Sequence, residues 1–262
     1  MTLMTDPAAD MIGRAVDEAV GRFESTGLQA LNRRAKLQIR KDRKYVLDAT
    51  ELVRLLDALP TDTRALEIDG RRWFRYESVY FDTDRFDSYR LAAIHRPSRF
   101  KVRTRTYLDS GLAFAEVKTK DRRGRTVKHR LRVDDGNADT GDVVRDFAGG
   151  VDEASSYADD LEPVLISRYR RATLLLSDVG VRVTIDADYR CIGADRATTG
   201  LTDEFIVEVK SDGRPSIVDH LLWRGGHRPV KISKYATGLA ALHPELAANR
   251  WQPVLAAHFG RG

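Results

Sequence analysis

Six short segments of this chain alternate apolar and polar residues, and in each one the polar positions carry two or three ionisable groups. Successive side chains of a strand point to opposite faces, so each segment reads as a β-strand with one apolar and one charged face. In KVRTRTY (101–107) the charged face holds Lys101, Arg103 and Arg105, and in FAEVKTK (114–120) it holds Glu116, Lys118 and Lys120. Lys128, Arg130 and Arg132 repeat the spacing, as do Arg182, Thr184 and Asp186 in VRVTID, Glu208 and Lys210 in FIVEVK, and Arg40, Asp42 and Lys44 in RKDRKY. Two architectures accommodate the pattern. One is an ordinary sheet whose charged face meets water. The other is a closed barrel that turns its charges into a water-filled tunnel and its apolar face toward covering helices. The mixture favours the second, because many cations with a few carboxylates suit a site shared by phosphates and a hard divalent metal. Lysine is scarce beside arginine, yet lysines 44, 101, 118, 120, 128, 231 and 234 all fall in these motifs. A lysine is a compact point charge that can follow a phosphate oxygen, whereas arginine presents a planar fork.

The remaining sequence frames these strands. Ile12, Val16, Ala19, Val20 and Phe23 recur at helical spacing and predict an amphipathic helix over 8–35, interrupted near Gly27. Strand character begins at Leu37. Asp48-Ala-Thr-Glu51 has the form of a capping box, opening a short helix that ends at Pro60. Further strands are expected at 73–82, 100–107, 112–119, 126–133, 163–171, 181–188 and 203–210, and helices at 216–224 and 232–242. The acidic, Gly- and Asp-rich stretch 134–160 reads as a surface connection with weak helical periodicity over 142–148. With no repeat and no low-complexity linker, the chain reads as one α+β domain dominated by antiparallel strands.

With 42% apolar and 32% charged residues, the 262-residue chain has the composition of a folded protein rather than a disordered one. Its net charge of +5 leaves phosphate, nucleic acid and anionic surfaces open as partners. The single cysteine, Cys191, suits a reducing compartment. No apolar run nears the roughly 20 residues of a membrane span, and Met1–Asp10 lacks the form of a signal peptide. A cytoplasmic location is therefore expected. The amphipathic N-terminal helix leaves a peripheral position at the inner face of a membrane open.

The ordered segments RKDRKYVL (40–47), VYFDT (79–83), FKVRTRTY (100–107), FAEVKTKDRRGRTVKHR (114–130), PVLISRYRRAT (163–173), VRVTID (181–186), FIVEVKS (205–211) and VKISKYATG (230–238) resemble the VTC catalytic domain of polyphosphate polymerases. That domain lies within the triphosphate tunnel, or CYTH-like, superfamily. The resemblance implies an eight-stranded antiparallel β-barrel with flanking helices, spanning 37–245 between an N-terminal helix (1–36) and a C-terminal tail (246–262). It assigns phosphate-binding and catalytic roles to Lys44, Arg103, Arg105, Lys118, Arg171, Arg182, Lys231 and Lys234. Arg168 and Arg170 stand beside Arg171, so a slip in register would exchange them. Lys120, Lys128 and Arg130 join the phosphate-binding set as same-face cations. Glu208 becomes the metal-binding carboxylate, with Glu116 near it, and Asp42 stands where the family often has Glu. The cofactor implied is Mn²⁺ or Mg²⁺, and the substrates are ATP and polyphosphate. A separately encoded membrane protein is a further partner the family suggests.

Phosphoryl transfer needs positioned cations, a metal and an in-line acceptor, with little covalent help from protein. A terminal phosphate as acceptor makes the chain a polyphosphate polymerase, and water makes it a triphosphatase. A polyanion-binding module without turnover is the third reading. Carboxylates among the cations would repel a bare nucleic-acid backbone, so no nucleic-acid partner is expected. GxGxxG and P-loop motifs are absent, and the six histidines lack metal-ligand spacing. Asp82 and Thr83 are expected to form a turn, Cys191 to be inert, and Trp73, Trp223 and Trp251 to pack in the core.

Overall fold

A computed structural model describes residues 7–34, 41–120, 124–133, 140–176 and 180–259. The expected strand start at Leu37–Arg40 lies outside them, as do the side chains of Ile12, Arg33 and Arg34. In chain order the elements are α1 (Pro7–Gly21), β1 (Glu24–Thr26), α2 (Leu28–Arg34), β2 (Lys41–Asp48), α3 (Ala49–Asp57), β3 (Thr63–Leu66), β4 (Phe74–Asp82) and α4 (Asp87–Ala93). They continue with β5 (Lys101–Tyr107), β6 (Leu112–Lys120), β7 (Thr126–Val133), α5 (Thr140–Gly149), α6 (Asp152–Ser155) and a 3₁₀ turn (Ala158–Asp160). The rest are β8 (Glu162–Leu176), β9 (Val181–Gly193), β10 (Thr198–Gly200), β11 (Glu204–Ser211), α7 (Ile217–Arg224), α8 (Lys234–Leu242) and α9 (Gln252–His258). The fold is α+β, with eight strands following the path β2-β11-β9-β8-β4-β5-β6-β7. Every pairing with a described register is antiparallel except β1 on β3. Among the described residues no pairing joins β2 to β7.

The chain divides into two compact units. The first takes residues 1–74, 170–188 and 201–230. Its core packs Tyr45 and Leu47 of β2, Val207 and Val209 of β11, Val183 and Ile185 of β9, and Ala172 and Leu174 of β8 under Val16, Ala19 and Val20 of α1, Leu52 and Leu56 of α3, and Val218 and Leu222 of α7. Burying a side chain of this size contributes about 1.5–3 kcal/mol, so the helices are held by this apolar face. The capping box forms as expected: Glu51 N donates to Asp48 and Asp48 N donates back to Glu51. The predicted 8–35 helix is two helices. The chain breaks after Gly21, pairs Glu24–Thr26 in parallel with Arg64–Leu66, and resumes at Leu28.

The second unit takes residues 75–169, 189–200 and 231–262. Phe81, Val102, Ala115 and Val117, from β4, β5 and β6, pack against Val144, Ala148, Val151, Ala154, Ala158 and Leu161. The stretch 134–160 is thus no surface connection. Beyond its undescribed first residues it folds as α5, α6 and the 3₁₀ turn, and supplies half of this core. In both units helices pack on the apolar face of the strands, and the alternate face carries the charged side chains.

Candidate functional site

In the first unit the strand register arranges charges in rows. Lys44 lies opposite Glu208, which lies opposite Thr184, and Asp42 opposite Lys210, which lies opposite Arg182. Arg171 of β8 closes on Asp186 with both Nε and Nη2, the second bond at 2.8 Å. That settles the register of SRYRR. Arg168 bonds Glu77 within the second unit, while Arg170 bonds Asp17 and Asp188, so only Arg171 shares the charged face. Lys210 Nζ sits 2.9 Å from Glu208 Oε2. Burial pushes the Glu208 carboxyl up, but Lys210, Lys44 and Arg171 outweigh it and hold it well below the usual carboxylate range. Arg182 donates to the Leu31 carbonyl at 3.5 Å. Behind this face, buried Asp219 accepts from Arg43, from Tyr45 Oη at 2.7 Å, and from Ser216 N and Oγ, tying β2 to α7.

The charged face of the second unit has a different balance. Its rows run Lys101–Lys118–Lys128, then Tyr80–Arg103–Glu116–Arg130, then Ser78–Arg105–Phe114–Arg132. Glu116 is fully buried and faces three cations: Arg103 Nη2 at 2.6 Å, Lys128 Nζ at 2.5 Å and Arg130 Nε at 3.6 Å. Burial works against its ionisation, yet Arg103, then Arg105 and Lys128, hold the carboxyl well below its ordinary range. Arg105 is buried with one hydrogen bond, to Ser78 Oγ at 3.3 Å, and lies over the Tyr76 ring. Lys118 makes no hydrogen bond or ion pair among the described residues. Arg103, burial and Arg105 push its ammonium well below the ordinary lysine range. Like charges directly opposite one another across strands are destabilising, so the three-lysine row carries a repulsion that Glu116, paired with Lys128, offsets in part.

The KISKY motif adds to this face. Ser233 Oγ accepts from Ala236 N, capping α8, and also from Lys101 Nζ at 3.0 Å. Lys234 Nζ lies 4.6 Å above the Tyr169 ring and 5.2 Å from that of Tyr189. Lys231 is exposed, and Lys120 donates to Thr126 Oγ1 at 2.7 Å. Tyr235 donates to fully buried Asp82, which also accepts from the backbone N–H of Thr83, Ser88 and Tyr89. Asp82 therefore joins β4, α4 and α8, a wider structural part than the turn expected of it. Gly238 leaves no room for a side chain: a Cβ there would lie 2.5 Å from Cys191 Sγ and 3.1 Å from Tyr189 Oη. Burial raises the Cys191 thiol to about 12, which suits the inertness expected of it. Trp251 packs on Tyr89, Trp223 donates to Tyr45 Oη, and Arg170 covers the Trp73 ring.

Among the described residues no group of three or more His, Cys, Asp or Glu side chains could hold a metal ion. Mg²⁺ asks for less, because it is commonly bound through one or two carboxylates together with substrate phosphates. Glu208 fits that mode: Lys210 takes Oε2, and Oε1 enters none of the described hydrogen bonds. Exposed Asp42 lies one row away on the same face. Glu116 does not fit, since both of its oxygens are engaged by cations. Lys101, Lys210 and Asp186 belong to these clusters although the sequence reading assigned them no role. Their same-face alternation with the assigned residues was the available signal.

The family model described as the VTC domain matches residues 39–243, a span that contains every candidate residue above. Among curated proteins, no sequence matches the chain. Among solved structures, a candidate adenylyl cyclase from Hippeastrum, described as having a dominant triphosphatase activity, shares 17% identity at a TM-score of 0.48, covering 76% of this chain and 94% of its own. A candidate adenylate cyclase from Vibrio parahaemolyticus aligns at 10% identity and a TM-score of 0.41, over 72% and 84% of the two chains. A conserved hypothetical protein from Pyrococcus furiosus gives 12% and 0.40, over 71% and 88%. No helix among the described residues is long and apolar enough to cross a membrane.

Proposed function

The chain belongs to the VTC domain family, and on that footing we propose that it is a metal-dependent polyphosphate polymerase, transferring the γ-phosphate of ATP to the end of a polyphosphate chain. The observation that carries the reading is the row Lys101–Lys118–Lys128, flanked by Arg103 and Arg105, with Glu116 paired to Arg103 and Lys128. Cations spread over three strands and the start of α8 match an extended anion better than a compact one.

In this reading Lys118, Lys101, Lys128 and Arg105 bind and align phosphate oxygens. Lys234 approaches from the start of α8, and Lys120, Arg130 and Lys231 extend the cationic surface. Glu116 keeps Arg103, Lys128 and Arg130 in place and is a positioning residue. The resemblance gives Lys44, Arg171 and Arg182 of the first unit phosphate-binding roles as well. Glu208, with Asp42 beside its row, would hold Mn²⁺ or Mg²⁺. A bound divalent ion supplies charge neutralisation on the phosphate oxygens. The reaction forms one bond, from a terminal phosphate oxygen to the γ-phosphorus, and breaks the β–γ bridging bond, so ADP leaves with the electron pair. Cations fixed in advance stabilise the charge shifting toward the leaving oxygen without reorganising.

Incubating the protein with ATP and Mn²⁺ or Mg²⁺, and resolving ADP, orthophosphate and polyphosphate, tests the proposal. ADP with long polyphosphate and little orthophosphate is the expected result. Stoichiometric orthophosphate without polymer would make the enzyme a triphosphatase. Tight polyphosphate binding without turnover would make it a binding module.

A further inference from the structure

We propose that a cationic surface patch on the second unit, formed by His95, Arg96, Arg99, Lys120, Lys231 and Arg250, binds the polyphosphate chain beyond the row Lys101–Lys118–Lys128; the inference rests on the polymerase reading. Several contacts gather these residues. The register that sets Lys101 opposite Lys118 brings Arg99 and Lys120, two positions further out on each side, to the same end of the β5–β6 pair. The bond from Lys101 to Ser233 holds the segment with Lys231 against that end. Tyr89 packs on Trp251 at 5.3 Å and donates to the Ala247 carbonyl at 3.1 Å, fixing the segment with Arg250 against α4. After α4 the chain reverses through His95, which has φ 59°, with Arg96 N bonded to the Leu91 carbonyl at 2.9 Å.

His95, Arg96 and Lys231 are exposed, and Arg99, Lys120 and Arg250 are half-buried. Among the described residues Arg96, Arg99, Lys231 and Arg250 make no ion pair. The potential they create is felt by His95, whose imidazole is held below its ordinary range by Arg250 and Arg99 first. The open groove of the same unit lined by Asp84, Asp159, Asp160 and Glu162 has the opposite sign and would repel a polyanion. Continuity with the lysine row assigns a phosphate chain, rather than a membrane, to the patch. A chain held by Lys101 and Lys118 meets Lys120, Lys231 and Arg99 next.

The test compares the wild-type protein with Arg96→Gln/Arg99→Gln/Arg250→Gln, measuring affinity for tripolyphosphate and for polyphosphate tens of units long. Long-chain affinity should fall about tenfold, from three surface ionic contacts each worth a few-fold, while tripolyphosphate affinity stays within about twofold. The slope of log affinity against log salt should become shallower by about two for the long chain only, at roughly 0.7 per contact. Equal losses for both ligands, or none for either, would overturn the proposal. Lost binding to phosphatidylglycerol vesicles with unchanged long-chain affinity would also overturn it and make the patch a lipid site. Arg96→Gln/Arg250→Gln keeps the bond from Arg99 Nη1 to the Arg96 carbonyl. It should show a smaller loss in the same direction, which guards against a folding defect. If the patch binds long chains but ATP yields no polymer, the surface stands and the polymerase reading falls.

Discussion

The two charged faces use the same strand chemistry to opposite ends. On the first, Lys44, Arg171, Arg182 and Lys210 are interleaved with Asp42, Asp186 and Glu208, so the face comes close to neutralising itself. On the second, Glu116 sits among Arg103, Lys128 and Arg130, while Lys118 and Arg105 have no carboxylate partner among the described residues. A self-neutralised face offers a carboxylate to a metal and gives up little to a phosphate. An under-neutralised one stores repulsion that an incoming polyanion relieves. Under the proposed function this contrast becomes a division of labour, with Glu208 assigned to turnover and the lysine row to affinity.

Glu208→Gln should break the comparison most visibly. Turnover at saturating ATP and metal is expected to fall roughly a hundredfold to a thousandfold, the scale of losing a fixed electrostatic group from a reacting site. Retained metal-dependent turnover would remove Glu208 from the metal role. Glu116→Gln should act on stability instead, because it leaves buried cations uncompensated at a cost of about 3 kcal/mol. Added tripolyphosphate should return most of it, as about 2.7 kcal/mol is available at a hundred times Kd. The sign of its pH dependence follows from a carboxyl whose folded pKa is depressed. The stabilisation is complete above the unfolded value of about 4.3 and is lost as pH falls toward the folded one. Urea unfolding from pH 5 down to 2 should show a shallower acid limb in Glu116→Gln than in the wild type.

Lysine-to-methionine pairs sharpen the contrast at smaller scale. Lys118→Met should weaken tripolyphosphate binding about tenfold while leaving the unliganded protein as stable or up to about 1 kcal/mol more stable, since a like-charge row is relieved. Lys210→Met in the first unit should destabilise, because Glu208 loses its 2.9 Å partner. Equal responses to the two substitutions would erase the distinction between the faces. The smallest effect is an NMR one. The His95 imidazole should titrate below free histidine, and its pKa should rise when long polyphosphate screens Arg250 and Arg99.

Much of this was legible because strand alternation is a strong local signal. The starts and ends of β4, β5, β6, β7 and β11 fall within about a residue of where periodicity put them. What escaped had weaker local cause. β8 and β9 run on past 171 and 188 because the apolar run Ala172–Leu176 and the alternation through Tyr189 and Cys191 continue each strand into further packing. Helix α4 has no cap of its own at Phe86, which is left-handed at φ 56°. Asp82, from the end of β4, caps it instead, a partnership invisible to a local scan. In 140–158 acidic composition masked the helical spacing of Val144, Ala148, Val151, Ala154 and Ala158. At the site, alternation chose the right faces, but only cross-strand register could separate Arg171 from Arg168 and Arg170, or show Glu116 enclosed by cations.

The close approach of Gly238 to Cys191 has an evolutionary corollary. The helix that begins with Lys234 rests on β9 with no spare atom between them, so positions 238 and 191 form a coupled pair in sequence space. A lineage that placed alanine at 238 would need a residue smaller than cysteine at 191, or else it would lift the lysine-bearing end of α8 off the strand. Related sequences should therefore vary at these two positions jointly, and Gly238→Ala should cost less stability beside Cys191→Gly than alone, with Tyr189 Oη and Leu165 Cδ2, at 3.1 and 3.2 Å, left to yield.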